Sequence, residues 1–427
     1  MKKSIVLLAL CMLNTVLLAQ SEKPNILIII TDQQNAKMMS AAGNKWLDTP
    51  NMDKLANKGL RFEKAYVTNP VCSPSRFSLF TGEYPSAIDM RHNASKLDMA
   101  ALQKIIPNAM GHTFTKAGYE TFYGGKSHLP GGKKEVITYG FETFISKDER
   151  DELAAESVAL LSNRDSDKPF FLALNFINPH DICYEAIRQF PPNNRPPAEV
   201  PVPLLEAIAI YDLKELHSFT IDAREHWTEK DWRMHRYAYH RLTERVDVQI
   251  GMVLDALEAS PFADNTIVIF TSDHGEMSGS HRLEHKTVFY EEAANVPLVV
   301  WYNGMENEQS VDSHNIISTG LDLYPTLCDL AGVSMPDYLP GISFAPLLKN
   351  QKTNYNPRKY LFMENELGFM IRGDHFKYTL YDNGDEMLID LKQDPGEMVN
   401  LSQNTAYRER KAELKALLQV HIEQANR

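Results

Sequence analysis

Three short runs of apolar residues constrain this chain more than any other feature. Asn25–Ile30, Phe170–Phe176 and Thr266–Phe270 are almost continuously hydrophobic rather than alternating. That is the pattern of strands covered on both faces, as in a parallel sheet sandwiched between helices. Each run stops at residues able to do chemistry: Thr31-Asp32-Gln33, Asn178-Pro179-His180 and Thr271-Ser272-Asp273-His274. Open α/β sheets take their ligands beyond the carboxyl ends of the strands. One crevice on one sheet edge, lined by these endings, is therefore expected.

The chain has 427 residues, 43% hydrophobic and 23% charged, enough for a large core and unlike a disordered chain. Its formal net charge of −12 argues against non-specific nucleic-acid binding. An anionic ligand would need cations concentrated locally at its site. Lys2 and Lys3 followed by the apolar run Ile5–Leu18 and Ala19 read as an export signal over residues 1–19. The run is too short and broken for a transmembrane anchor, and bulky Leu10 before Cys11 suits a lipoprotein signal poorly. An exported, periplasmic protein is expected. Removing the signal leaves Cys72, Cys183 and Cys328, an odd number that cannot all pair within one chain. Whether Cys183 and Cys328 pair is open at this level.

The stretch Pro70-Val71-Cys72-Ser73-Pro74-Ser75-Arg76 places a cysteine at the start of a helix that runs on to Thr81-Gly82. Pro74 suits the first turn, where its missing N–H costs nothing, and Ser73 is the expected N-cap. A helix start presents unpaired N–H groups and the positive end of the dipole, which favours anions. Arg76 adds a guanidinium whose fork geometry matches sulfate or phosphate oxygens.

C-x-P-S-R followed by a hydrophobic helix ending in Thr-Gly resembles the signature of the type I, formylglycine-dependent sulfatases of the alkaline phosphatase-like superfamily. Further stretches are similar in family order. Gly125-Lys126-Ser127-His128 resembles the family's Gly-Lys-x-His, with Ser127 where an aromatic is usual. Pro179-His180 matches a strand-Pro-His feature, and Lys286 corresponds to a sulfate-binding lysine. Asp273-His274, where most members have Asp-Asn, and Asp32-Gln33, where most have two acids, are similar to the choline-sulfatase and phosphonate-hydrolase branch.

The resemblance implies a central mixed, largely parallel sheet flanked by helices, with a smaller C-terminal antiparallel sheet and a terminal helix. It divides the mature chain into a catalytic domain over 22–350 and a C-terminal subdomain over 351–427. It implies that a maturation enzyme oxidises Cys72 to formylglycine, whose hydrate is the nucleophile. Asp32, Gln33, Asp273, His274 and the modified Cys72 would hold a divalent cation. Hard oxygen ligands favour calcium or magnesium, and the imidazole of His274 shifts the set toward manganese; calcium is the expectation. Arg76, Lys126 and Lys286 would bind the sulfate oxygens. His180 would protonate the leaving alcohol, and His128 would take the proton that expels sulfate. Arg91, His92 and Asn93, in the loop after the Cys72 helix, and His281 are candidate substrate contacts. The expected substrate is a sulfated oligosaccharide.

Residues 191–222 are broken by prolines and read as a long excursion on the substrate rim. Two other readings stand beside the leading one: a phosphonate or phosphodiester hydrolase on the same fold, and a glycan-binding protein whose Cys72 is never converted.

Overall fold

A computed structural model describes residues 23–131, 135–183, 227–305 and 308–425. The export signal expected over 1–19 and the excursion over 191–222 lie outside the described residues.

The first part of the chain contributes β1 (Asn25–Asp32), β2 (Leu60–Phe62), β3 (Ala65–Tyr66), β4 (Glu120–Gly125) and β5 (Thr143–Phe144). The second contributes β6 (Phe170–Pro179), β7 (Thr266–Ser272), β8 (Leu298–Trp301), β9 (Ser310–Asp312) and β10 (Ile317–Ser318). Eight of these form one sheet in the order β5-β4-β6-β1-β7-β8-β2-β9. It is parallel from β5 to β7, and β8 runs antiparallel to both its neighbours. β3 and β10 make a separate parallel pair.

The three apolar runs are thus neighbours, β6-β1-β7, at the middle of the sheet. Ile28 lies opposite Ala173 on one side and Ile269 on the other. That register brings the strand ends level: Asp32 pairs with Pro179 and Thr31 with Ser272. The reason the runs do not alternate is visible in β1. Ile26, Ile28 and Ile30 face a core shared with Phe77, Phe80 and Leu323. Leu27 and Ile29 face a second core with Leu153, Val246, Ile250 and Val253. Burying each such side chain is worth about 1.5–3 kcal/mol, so a polar residue on either face would be costly.

The long helix Glu229–Glu258 starts earlier than the Trp232–Leu257 periodicity suggests, because Thr228 and Asp231 form a reciprocal capping box. The Cys72 helix also starts differently from expectation. It spans Cys72–Thr81 with Val71 as its N-cap, so Ser73 lies inside it. The Ser73 N–H donates to Asn93 Oδ1 at 3.0 Å, and Ser75 N–H makes the first intrahelical bond to Val71 O at 3.0 Å. Pro74 still falls in the first turn, and Gly82 closes the helix at φ 73°, a conformation glycine adopts freely.

β11 (Leu361–Asn365), β12 (Gly368–Arg372), β13 (Phe376–Tyr381) and β14 (Glu386–Asp390) form the expected small antiparallel sheet. The terminal helix Arg408–Ala425 covers one face, packing Leu414 and Leu418 on Ile371, Tyr378 and Leu388. The other face presents Met363, Met370 and Ile389 to Tyr66, Phe289 and Tyr290. Polar ties reinforce this seam. Glu291 Oε1 lies 3.2 Å from Arg372 Nε and 3.4 Å from Lys377 Nζ, and Asn365 Nδ2 donates to Thr287 O.

Among the described residues no helix is long and apolar enough to cross a membrane. Cys72, Cys183 and Cys328 are all free, which answers the pairing question. Cys328 is buried in the helix Thr319–Ala331, whereas Cys183 borders the site described next.

Candidate active site

The carboxyl ends of β6, β1 and β7 meet the start of the Cys72 helix, and Arg76 is what binds them. Its side chain is fully buried. Nε donates to Asp273 Oδ2 at 2.8 Å and Nη2 to Asp32 Oδ2 at 3.0 Å. Nη1 donates to Asn175 Oδ1 at 2.8 Å and to Lys126 O at 3.1 Å. The guanidinium is therefore spent on the protein. The expected contact between Arg76 and sulfate oxygens is replaced by an internal clamp, one turn below the anion-facing helix start.

Around Cys72 the remaining charges converge. Lys126 Nζ is 2.5 Å from Asp32 Oδ2 and 3.8 Å from Cys72 Sγ. His274 Nε2 is 3.1 Å from the same sulfur, while its Nδ1 donates to Gly275 O at 2.9 Å. That second bond commits Nδ1 as a donor and turns Nε2 toward the sulfur. His180, following the end of β6, holds Nε2 3.9 Å from Asp32 Oδ1. Burial works against ionising the Cys72 thiol and Asp32 adds to this, but Lys286, Lys126 and His274 outweigh both and hold it well below its ordinary value. The acidic chain thus concentrates positive charge at this one point.

The donor set fits a divalent cation. One ligand atom each from Asp32, Cys72, Asp273 and His274 lies within 4.8 Å of the others, all buried. Both Arg76 and Lys126 sit on Asp32 Oδ2, and Asp32 Oδ1 is buried without a hydrogen bond. Buried carboxylate oxygens are rarely left so. Burial favours protonating Asp32, yet Lys126, His180, Arg76 and His274 keep it well below its usual range. Burial and the charge of Asp32 push Asp273 up to about 6, against His274 and Arg76. A bound cation would relieve that repulsion between neighbouring carboxylates.

Several expected contacts are not brought to this centre. Gln33 sits beside it at φ 69°, but its amide is turned away from the donor cluster. Oε1 accepts from Lys286 Nζ at 2.5 Å and Nε2 donates to Glu276 Oε2 at 2.5 Å. It is a neighbour of the donor cluster, engaged elsewhere. Arg91 donates to Asp382 at 3.0 and 3.3 Å, donates to Gly368 O and lies over the Phe369 ring. It ties the small sheet to the main body. Asn93 caps the Cys72 helix. His281 is buried and stacked on Tyr290, centroids 3.9 Å apart, so it is a packing residue rather than a substrate contact. His92 stands on the rim, its Nδ1 accepting from Ala94 N–H and its Nε2 3.7 Å from Glu366. His128 is exposed at φ 47°; no contact between it and Cys72 is formed.

Three residues that matter here carried no usable sequence signal. Asn175 lies mid-strand in β6, Tyr239 on the long helix, and Glu276 beyond the Asp273-His274 pair. Tyr239 OH donates to Gln33 O at 2.6 Å and accepts from Asn35 N–H at 3.0 Å. Such partners are set by long-range packing, which local spacing does not encode.

Residues 24–333 match the family model described as Sulfatase, and residues 279–424 match one described as N-sulphoglucosamine sulphohydrolase, C-terminal. A relative named Delta 4,5-hexuronate-2-O-sulfatase, from Bacteroides thetaiotaomicron, is 33% identical over 433 residues, spanning 94% of this chain and 89% of its own. Choline-sulfatase of Rhizobium meliloti is 30% identical over 437 residues, spanning 90% and 83%. A solved structure described as a 2-O GAG sulfatase is similar with a TM-score of 0.81 at 31% identity, covering 95% of this chain and 93% of that one.

Proposed function

The chain belongs to the sulfatase family and is a sulfuric ester hydrolase, and from that premise we propose that it removes sulfate from a sulfated sugar, with a 2-O-sulfated glycosaminoglycan fragment as its substrate class. The observation that carries the reading is the convergence of Lys126, Lys286 and His274 on Cys72 beside the four-residue donor cluster. The names of the 33% identical relative and of the 31% identical structure support the substrate class.

In this reading the sulfur of Cys72 stands where the oxygens of the matured formylglycine would be. Asp32, Asp273, His274 and residue 72 would hold the cation, for which calcium is our choice on the strength of two carboxylates. When present, formylglycine supplies a hydrated aldehyde as nucleophile, and the cation offsets charge and lowers the pKa of the attacking hydroxyl.

The chain's own residues do the rest. Lys286 and Lys126 neutralise the sulfuryl oxygens as charge builds in the transition state. Arg76 holds Asp32 and Asp273 in one geometry. His274, its ring held by the Nδ1 bond to Gly275 O, directs Nε2 inward. His180 gives a proton to the leaving alcohol oxygen; burial lowers its pKa while Asp32 raises it. His128 is the remaining candidate to accept the proton that accompanies sulfate release. We further propose export by the signal over 1–19, maturation by a formylglycine-generating enzyme, and a division at residue 350.

Mass spectrometry of the Cys72 peptide, from protein made with a maturation enzyme, should show formylglycine. Defined disaccharides sulfated at single positions should then be desulfated at the 2-O position of the uronate. Full activity with an unmodified thiol would overturn the mechanism, and turnover at another position would overturn the substrate assignment. The pairing of Asp273 with His274, with Gln33 adding no carboxylate, favours one second reading, a phosphonate monoester or phosphodiester hydrolase. Parallel assays with an aryl sulfate and an aryl phosphodiester separate the two.

A further inference from the structure

Gln33 occupies a position where an amide has only one way to face. Its Nε2 donates to Glu276 Oε2 at 2.5 Å, and its Oε1 accepts from Lys286 Nζ at 2.5 Å. A carboxylate only accepts and an ammonium only donates, so the amide orientation is dictated by its two partners. Glu276 is itself fully buried and anchored. Its Oε1 accepts the backbone N–H of Ser278 at 3.0 Å and of His285 at 2.7 Å, with His235 Nε2 at 3.6 Å. The main chain of Gln33 is held as firmly. Its N–H donates to Asp273 Oδ1 at 3.1 Å and its carbonyl accepts from Tyr239 OH.

We propose that Glu276 and Gln33 form a positioning relay that aims Lys286 at the sulfate-binding centre while leaving its charge available to substrate. Glu276 is the fixed end, Gln33 the neutral spacer and Lys286 the working group. Only one of the three ammonium N–H bonds is taken by Gln33. An aspartate at position 33 would instead pair with Lys286, cancel much of its charge and compete for the cation. The relay gives physical meaning to Gln33 where a second acid would be usual. Glu276 is a positioning residue, acting through Gln33 rather than on substrate. The inference rests on the reading of this centre as a sulfate site.

The test uses the matured, metal-loaded enzyme and inorganic sulfate as the probe, with affinity measured by calorimetric titration. Lys286→Met should weaken sulfate binding strongly. Gln33→Leu, which removes both ends of the spacer at similar volume, should weaken it about tenfold in the wild-type background. In the Lys286→Met background the same change should cost less than about twofold, because the group it positions is gone. Glu276→Gln, which keeps the shape but loses the acceptor-only end, should show the same non-additivity and carries the test if Gln33→Leu fails to fold. Equal losses in both backgrounds would overturn the relay while leaving the sulfate site standing. Wild-type enzyme that binds no sulfate would overturn the reading of the site, and the relay with it.

Discussion

Asn93 Oδ1 accepts the backbone N–H of Ser73 at 3.0 Å, so the helix carrying Cys72 is closed by a side chain from twenty residues further along the chain. The loop after the helix returns to cap its own beginning. The helix start is thus fixed by tertiary contact, which matters because Cys72 is its first residue.

Replacing Asn93 with alanine should cost about 1 kcal/mol, the ordinary value of a lost cap. For a chain of 427 residues that is a fall of only about 1 °C in Tm. Asn93→Asp, which keeps an acceptor at the positive end of the helix dipole, should restore most of it. Differential scanning calorimetry of the three proteins decides the matter, and a substrate contact would instead move KM with Tm unchanged.

Arg76→Met should be far more damaging. It leaves Asp32 and Asp273 buried side by side without their shared cation, a loss of about 3–5 kcal/mol. Arg76→Lys should recover little, since an ammonium cannot span both carboxylates and Asn175 at once. Denaturant midpoints with unchanged m-values would record this. A folded, stable Arg76→Met protein with only a raised KM would mean that the arginine serves substrate after all.

His180→Ala should divide substrates by leaving group. Sugar sulfates, whose alkoxide leaves poorly, should lose about 100-fold or more in kcat, while an activated aryl sulfate should lose less than about tenfold. Equal losses on both would remove His180 as the acid.

Glu386 gives a pH signature away from the site. It accepts from Tyr378 OH at 2.7 Å, Lys411 at 2.8 Å and Lys415 at 2.7 Å. Burial pushes its carboxyl up, but Lys411, Lys415 and Tyr378 outweigh this and hold it at about 2. A carboxylate depressed in the folded state contributes stability that is fully present above its ordinary value of 4.5 and lost as pH falls toward about 2. Glu386→Gln should therefore lower unfolding free energy at pH 7 by about 1 kcal/mol after allowance for screening. Urea titrations at pH 7, 4 and 3 should show the gap closing as pH falls.

The parts legible in the sequence are those whose signal is local. The non-alternating runs marked β1, β6 and β7 because each must be apolar on two faces, and their endings marked the crevice. His180, Asp273 and His274 were marked by their places at strand ends, whereas Lys126 was marked by the resemblance of Gly125-Lys126-Ser127-His128 to a family motif. What local spacing could not encode is which partner a polar side chain finds across the fold. Arg76 has the chemistry to grip sulfate, and only the convergence of Asp32, Asp273 and Asn175 shows that its donors are already taken. Ser73 before Pro74 has the pattern of a cap, yet the helix begins two residues earlier than that pattern implies, at Cys72 with Val71 as its N-cap, and Asn93 arrives from outside to bond Ser73 N–H. Arg91 and His281 likewise have the residue types of substrate contacts, but Asp382 and Tyr290 occupy them.

The seam between the small sheet and the main body has an outcome for how the chain can be shortened. Arg372 and Lys377 neutralise Glu291, and Asn365 grips Thr287, the residue next to Lys286. A chain trimmed after residue 333, where the Sulfatase match ends, would retain every proposed catalytic side chain. It would also strand Glu291 without its counter-charges and leave the lysine's own loop unbuttressed. The last quarter of the polypeptide is in this sense the back wall of the proposed sulfate pocket, and a minimal catalytic core cannot be cut from this protein by following the proposed catalytic residues alone.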